Sequence, residues 1–152
     1  MKRLRIYFMG LFHIGYEENL ESLVKAIALL PSDLTSNCSI TLRCDYVRPQ
    51  ILRQSSSLRV LPFGSEADVQ ADMQEADCLY LPLHFSEADQ SFSAYSLSTK
   101  MVTYLGSGVP MISHGPPATG ASNVLKENRA AALAPSLAPP ELATVLNEVL
   151  RP

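Results

Sequence analysis

The feature that most constrains this chain is its regular alternation of short β-prone runs with amphipathic stretches. "LRIYFMG" (residues 4–10) reads as a strand. "EENLESLVKAIALLP" (17–31) reads as a helix, with Leu20, Leu23, Val24, Ile27 and Leu30 on one face and Pro31 as its stop. "SITLRCD" (39–45), "LRVLPFG" (58–64), "DCLYLPL" (77–83) and "PMISHG" (110–115) read as further strands, and "RAAALA" as a weak sixth. A short helix or turn falls near 49–52. "EADVQADMQEA" reads as a helix capped by Ser65, with Asp68 in its first turn, and "ATGASNVLKEN" as another. "PPELATVLNEVL" is a terminal helix with proline at its start. Strands separated by helices pair in parallel through crossovers, and right-handed crossovers cover both faces of the sheet. The expectation is one α/β domain over residues 1–152, a doubly wound, Rossmann-like parallel sheet of about six strands. No internal repeat is evident, and "RQSSS" and "APSLAPP" are too short to be domain linkers.

Composition narrows the function classes. A chain of 152 residues with 47% hydrophobic residues can fill one core. Its charged fraction is 18% and its net charge −3, and its basic clusters (Lys2, Arg3, Arg5; Arg48, Arg53) are short. That argues against a nucleic-acid-binding face or a polybasic membrane surface. No apolar run is long enough to span a bilayer. Cys38, Cys44 and Cys78 match no metal or C-x-x-C spacing and read as buried thiols in a reducing compartment, so a cytoplasmic location is expected. With no D-x-D, no histidine pair and no cysteine cluster, neither a metal nor a cofactor is expected.

In a doubly wound sheet, ligands bind beyond the C-terminal ends of the strands. Four loops meet there: 10–16, 63–65, 83–98 and 114–122. The longest runs into "YSLSTKMVTYLGSGVP" (95–110), a short helix with Ser96 or Ser98 as N-cap and a glycine stop, whose apolar positions Met101, Val102 and Leu105 recur at helical spacing. Lys100 then falls in the first turn, where a cation opposes the helix dipole. An anion resolves this: phosphate accepts from the helix-terminal N–H groups and the hydroxyls of Ser98 and Thr99, and the ammonium pairs with its charge.

These residues also carry a likeness. "EADCLYLPLHF", followed by "YSLSTKMVTYLGSGVPMISHG", resembles the donor-binding half of GT-B glycosyltransferases, family 4 in particular. Ala76, Asp77, Pro82, Ser98, Lys100, Tyr104, Leu105, Gly108 and Pro110 match the family pattern. The first strand, glycine loop and helix, and the "LRVLPFGSEADVQADMQEAD" segment, are also similar. The resemblance implies retaining, metal-independent sugar transfer from a nucleotide-diphosphate sugar. It also implies a second, acceptor-binding domain preceding this one in the parent chain. It places the base near Phe63 and Gly64, the ribose at the helix, and the phosphates between the helix start and the Gly10 loop, where His13 lies. The family's paired glutamates, eight positions apart, fall on Tyr95 and Thr103. Thr103 keeps a neutral hydroxyl for the ribose, while Glu87 and Tyr95 are candidate sugar contacts. The basic residue of the first loop in many relatives is Leu11 or Phe12 here, leaving Lys100 to meet the phosphates.

Plainer readings stand beside these. Lys100 also reads as a surface lysine, though its place at the crevice and in the motif favours ligand binding; Gly10 and Gly15 read as turn glycines, and Gly106 and Gly108 as cap and turn. His13, His84 and His114 read as polar loop residues, Tyr95 and Tyr104 as packing, and Glu87 as solvated. A non-catalytic anion-binding module on the same fold is the alternative function. A nicotinamide oxidoreductase or methyltransferase is disfavoured, because "GLFHIG" lacks the G-x-G-x-x-G spacing.

Overall fold

The computed structural model describes residues 3–12, 14–86 and 99–151. Six strands among them form one all-parallel sheet: β1 (Leu4–Met9), β2 (Cys38–Arg43), β3 (Leu58–Leu61), β4 (Cys78–Pro82), β5 (Met111–His114) and β6 (Ala132–Ala134). Their spatial order is β3-β2-β1-β4-β5-β6, so the winding reverses between β1 and β4. The α/β, doubly wound architecture expected from the alternation is therefore present.

Helices α1 (Glu17–Ala28), α2 (Ser32–Thr35), α3 (Pro49–Leu52) and α7 (Pro139–Leu150) serve one face; α4 (Glu66–Glu75), α5 (Thr99–Ser107) and α6 (Gly120–Glu127) serve the other. The first core joins Ile6, Phe8, Ile40, Leu42, Tyr80 and Ile112 of the sheet to α1 and α7. The second joins Tyr7, Leu79, Leu81 and Met111 to Met73 of α4, Met101 and Tyr104 of α5, and Leu125 of α6. Strand β4, "CLYLP", is buried on both faces, as a central parallel strand must be. Strand β2 differs. Ile40 and Leu42 enter the first core, while Ser39, Thr41 and Arg43 share the opposite face with Tyr7, in register with Thr41.

Local signals explain several boundaries. Ser65 accepts from the Asp68 N–H at 3.1 Å and Asp68 accepts from the Ser65 N–H at 2.8 Å, a complete capping box starting α4. Thr119 accepts from the Ser122 N–H at 2.9 Å at the start of α6. Helix α5 runs through Gly106 and ends before Gly108, whose φ of +73° turns the chain into β5. Its inner face is Met101 and Tyr104; Val102 and Leu105, which the apolar spacing placed with Met101, are exposed. The larger Tyr104 takes the inner position, and its hydroxyl accepts from the Met9 N–H at 3.2 Å. The three cysteines are buried free thiols, as expected, and burial pushes Cys78 up to about 12.

Candidate functional site

The winding reversal opens a crevice beyond the C-terminal ends of β1 and β4, the usual ligand position in such sheets. Lys100 begins on α5, a helix of one layer, and its ammonium ends over rings packed in the other. Nζ lies 4.5 Å from the Phe8 ring centroid and 5.8 Å from that of Tyr16. It crosses at Gly10, whose φ is +113°; a Cβ there would lie 3.1 Å from Nζ and 3.2 Å from Cε. Gly10 thus does two jobs: it turns the chain after β1 in a conformation L side chains avoid, and it leaves the lysine a path. No carboxylate among the described residues pairs with Lys100. Desolvation lowers its pKa to about 8, from an ordinary lysine value. The first-turn cation is therefore half-buried at the crevice, which corrects the surface-lysine reading.

The wall below the ammonium is aromatic. Phe8, Phe12 and Tyr16 meet edge to face with centroids 5.8–6.3 Å apart. Tyr16 stacks on His84 at 4.6 Å and an interplanar angle of 19°. Phe8 and Tyr16 are not singled out in the sequence as ligand-side groups, whereas His84 falls at a ligand-side loop end and reads there as a polar loop residue. The signal for the two rings is the run "YFMGLFHIGY", which reads as core until the topology places it at the crevice.

His114 is not a loop residue but the last residue of β5, fully buried. Its Nε2–H donates to the Ser136 carbonyl at 2.8 Å, leaving Nδ1 to accept from the Tyr80 hydroxyl at 2.5 Å. Burial lowers its pKa to about 4. From the first turn of α1, the Asn19 amide donates to the carbonyls of Leu83 (3.0 Å) and His114 (2.9 Å). One side chain from behind β1 therefore holds the exits of β4 and β5, from which the crevice loops leave.

The remaining sequence candidates divide. Gly10 and Lys100 come together. Thr99 is exposed and Thr103 half-buried on α5. Phe63 and Gly64 sit after the edge strand β3, with Phe63 57% exposed and free to meet a flat ligand. A Cβ at Gly64 would clash with Asp68 and Arg43 at 2.8–2.9 Å, so glycine is required by packing there. His13, Glu87, Tyr95 and Ser98 lie outside the described residues, as does Ser96. Among the described residues, no three His, Cys, Asp or Glu side chains cluster as for a metal ion, and no helix is long and apolar enough to cross a membrane.

No family model and no curated sequence matches this chain. Its fold, however, is that of solved GT-B glycosyltransferases, the class suggested by the sequence. An α,α-trehalose-phosphate synthase (UDP-forming) from Burkholderia vietnamiensis superposes with a TM-score of 0.71 at 13% identity, over 97% of this chain and 37% of that one. WaaG, a glycosyltransferase involved in lipopolysaccharide biosynthesis, gives 0.67 at 16% identity, over 99% and 39%. The catalytic domain of cholesterol-α-glucosyltransferase from Helicobacter pylori gives 0.68 at 12% identity, over 98% and 87%. The chain thus spans little more than a third of the first two, and identities this low speak for the fold alone.

Proposed function

We propose that this chain is the donor-binding half of a retaining, metal-independent glycosyltransferase, holding a nucleotide-diphosphate sugar in the β1/β4 crevice. The observation that carries the reading is Lys100: a desolvated ammonium without a carboxylate partner among the described residues, seated where the winding reverses. A diphosphate would supply a counter-charge, and the N–H groups of the first turn of α5 would add donors. Gly10 lets the phosphates approach the backbone, Thr99 adds a hydroxyl, Thr103 faces the ribose, and Phe63 with Gly64 flanks the base. Ser98 and Tyr95, from the family pattern, and His13 and Glu87, from their places in the crevice loops 10–16 and 83–98, complete the assignment. The similarity to a UDP-forming synthase favours UDP among the nucleotides. The acceptor would be bound by a second domain of the parent protein, in keeping with the span matched in the larger relatives. A cytoplasmic setting and independence from metal and cofactor belong to the same reading.

The test is calorimetric titration with UDP, GDP, ADP and their sugars, with and without chelator. Binding should survive chelation, and Lys100→Ala should weaken it by roughly 1.5–3 kcal/mol, the range for a hydrogen bond to a charged group. Unchanged affinity in Lys100→Ala, or affinity that returns only with magnesium or manganese, sinks the assignment. The replacement of the family's acidic pair by Tyr95 and Thr103 favours a second reading, a non-catalytic anion-binding module. Binding of inorganic diphosphate as tight as that of any nucleotide would select it.

A further inference from the structure

Among the described residues, the outer half of the sheet is covered on one face only. Strands β2 and β3 send Ile40, Leu42, Leu58 and Val60 toward the first core. On the opposite side α4 packs beside Tyr7 of β1, and the surface over β2 and β3 is polar. A parallel strand covered on both faces reads as a continuous apolar run; "SITLR" alternates instead. The result is a groove of about 460 Å³ between α4 and β3, lined by Arg3, Arg5, Ser39, Thr41, Ser57 and Arg59 among others. That volume lies in the range of small-molecule sites. The groove runs along β3 and the neighbouring parts of β2 and β1, and none of Phe8, Gly10, Tyr16 and Lys100 lines it.

Its charges do not cancel. The two carboxylates on the α4 side are already answered. Asp72 accepts from Arg43 Nε at 2.5 Å and from the Tyr7 hydroxyl at 2.8 Å, and Glu75 pairs with Arg5. Arg3 and Arg59 have no such partner among the described residues. Two open guanidinium forks beside hydroxyls are the chemistry that grips phosphate oxygens in pairs. Among the described residues, the large exposed apolar side chains, Leu11, Leu29, Tyr46, Phe63, Val102 and Leu105, all lie outside the groove lining and offer it no wedge for a bilayer.

We propose that this groove is a second anion site, which binds a small soluble phosphate ester through Arg59 and Arg3, independently of the β1/β4 crevice. The experiment is NMR titration of the labelled chain with inorganic phosphate and with glycerol 3-phosphate at fixed ionic strength. Sedimentation with phosphatidylcholine vesicles, with and without phosphatidylglycerol, runs beside it. Saturable shifts are expected at the Ser39 and Ser57 amides and the Arg59 side-chain N–H. Arg59→Gln should weaken binding about tenfold, Arg59→Lys should weaken it less, and Lys100→Ala should leave it unchanged. Shifts confined to Gly10 and Thr99, a response that never saturates, or undiminished binding by Arg59→Gln would overturn the proposal. So would recovery of the chain on anionic vesicles without binding of either soluble probe. Melting each variant shows that the fold persists, and the wild-type shift map decides the matter if a variant does not fold.

Discussion

Among the described residues Lys100 has no charge partner, and the contacts that hold it there are aromatic. The cost of removing its ammonium from water is partly offset by the faces of Phe8 and Tyr16. Two outcomes follow at this scale. Gly10→Ala forces a side chain into a φ of +113° and against Lys100 Nζ. It should destabilise the domain by roughly 1–3 kcal/mol and weaken nucleotide binding together, read by a melt and a titration. The second concerns pH. Lys100 is lowered to about 8 when the site is empty, and a bound diphosphate favours its charged form. Affinity should therefore fall as pH rises through 8, with proton uptake on binding in that range, and Lys100→Ala should flatten the profile. Calorimetry in buffers of different ionisation enthalpy measures that uptake directly.

At the scale of elements, the start of α4 was fully legible: "SEAD" contains the serine and aspartate of the capping box, and both bonds form. Ser65→Ala should lower stability by about 1 kcal/mol, measured by denaturant unfolding, without touching nucleotide affinity. The strands were legible because each is a short β-prone run bounded by turns, and their parallel pairing followed from the alternation with helices; the spatial order, with its reversal between β1 and β4, comes from the structure. Helix α2 was not, since "SDLT" after Pro31 is too short to show a period. The inner face of α5 was misread because Val102 and Leu105 are apolar yet exposed, while Tyr104 is buried with its hydroxyl bonded to β1. The chemistry of Lys100 could be read from its place in the helix. Its aromatic seat could not, because Lys100 meets Phe8, and Tyr16 meets His84, across long stretches of sequence and nothing local announces the encounter. His114 was misjudged for the same reason: its partners Tyr80, in β4, and Ser136, after β6, are distant in sequence.

For the whole molecule, the buried histidine ties stability to acidity. The folded value of His114, about 4, lies below its ordinary 6.5, so the unfolded chain binds the proton first as pH falls. Its share of the stability is intact above pH 6.5 and is lost between there and 4, on the order of 3 kcal/mol. Unfolding free energies measured across that interval should show a slope that His114→Gln reduces; equal slopes would remove His114 as the cause. If the chain is the donor half of a two-part enzyme, it should not transfer sugar alone, because orienting both reactants is worth roughly 7–11 kcal/mol. Steady turnover by these 152 residues with a natural acceptor would refute that.

The reversal of strand order has a mechanical side. Strand β1 runs in register with β2 from Leu4 opposite Cys38 to Met9 opposite Arg43, but with β4 only at Ile6–Cys78 and Tyr7–Leu79. The sheet is thus two ribbons, each wound from neighbouring segments, joined along a short seam that Asn19 bridges at its open end. The crevice lies along this seam. A ligand touching both Gly10 and α5 acts as a clasp across it. Amide exchange should slow on both ribbons when nucleotide binds, most at the ends of β1 and β4, and protection restricted to one ribbon would show that the ligand does not span the joint.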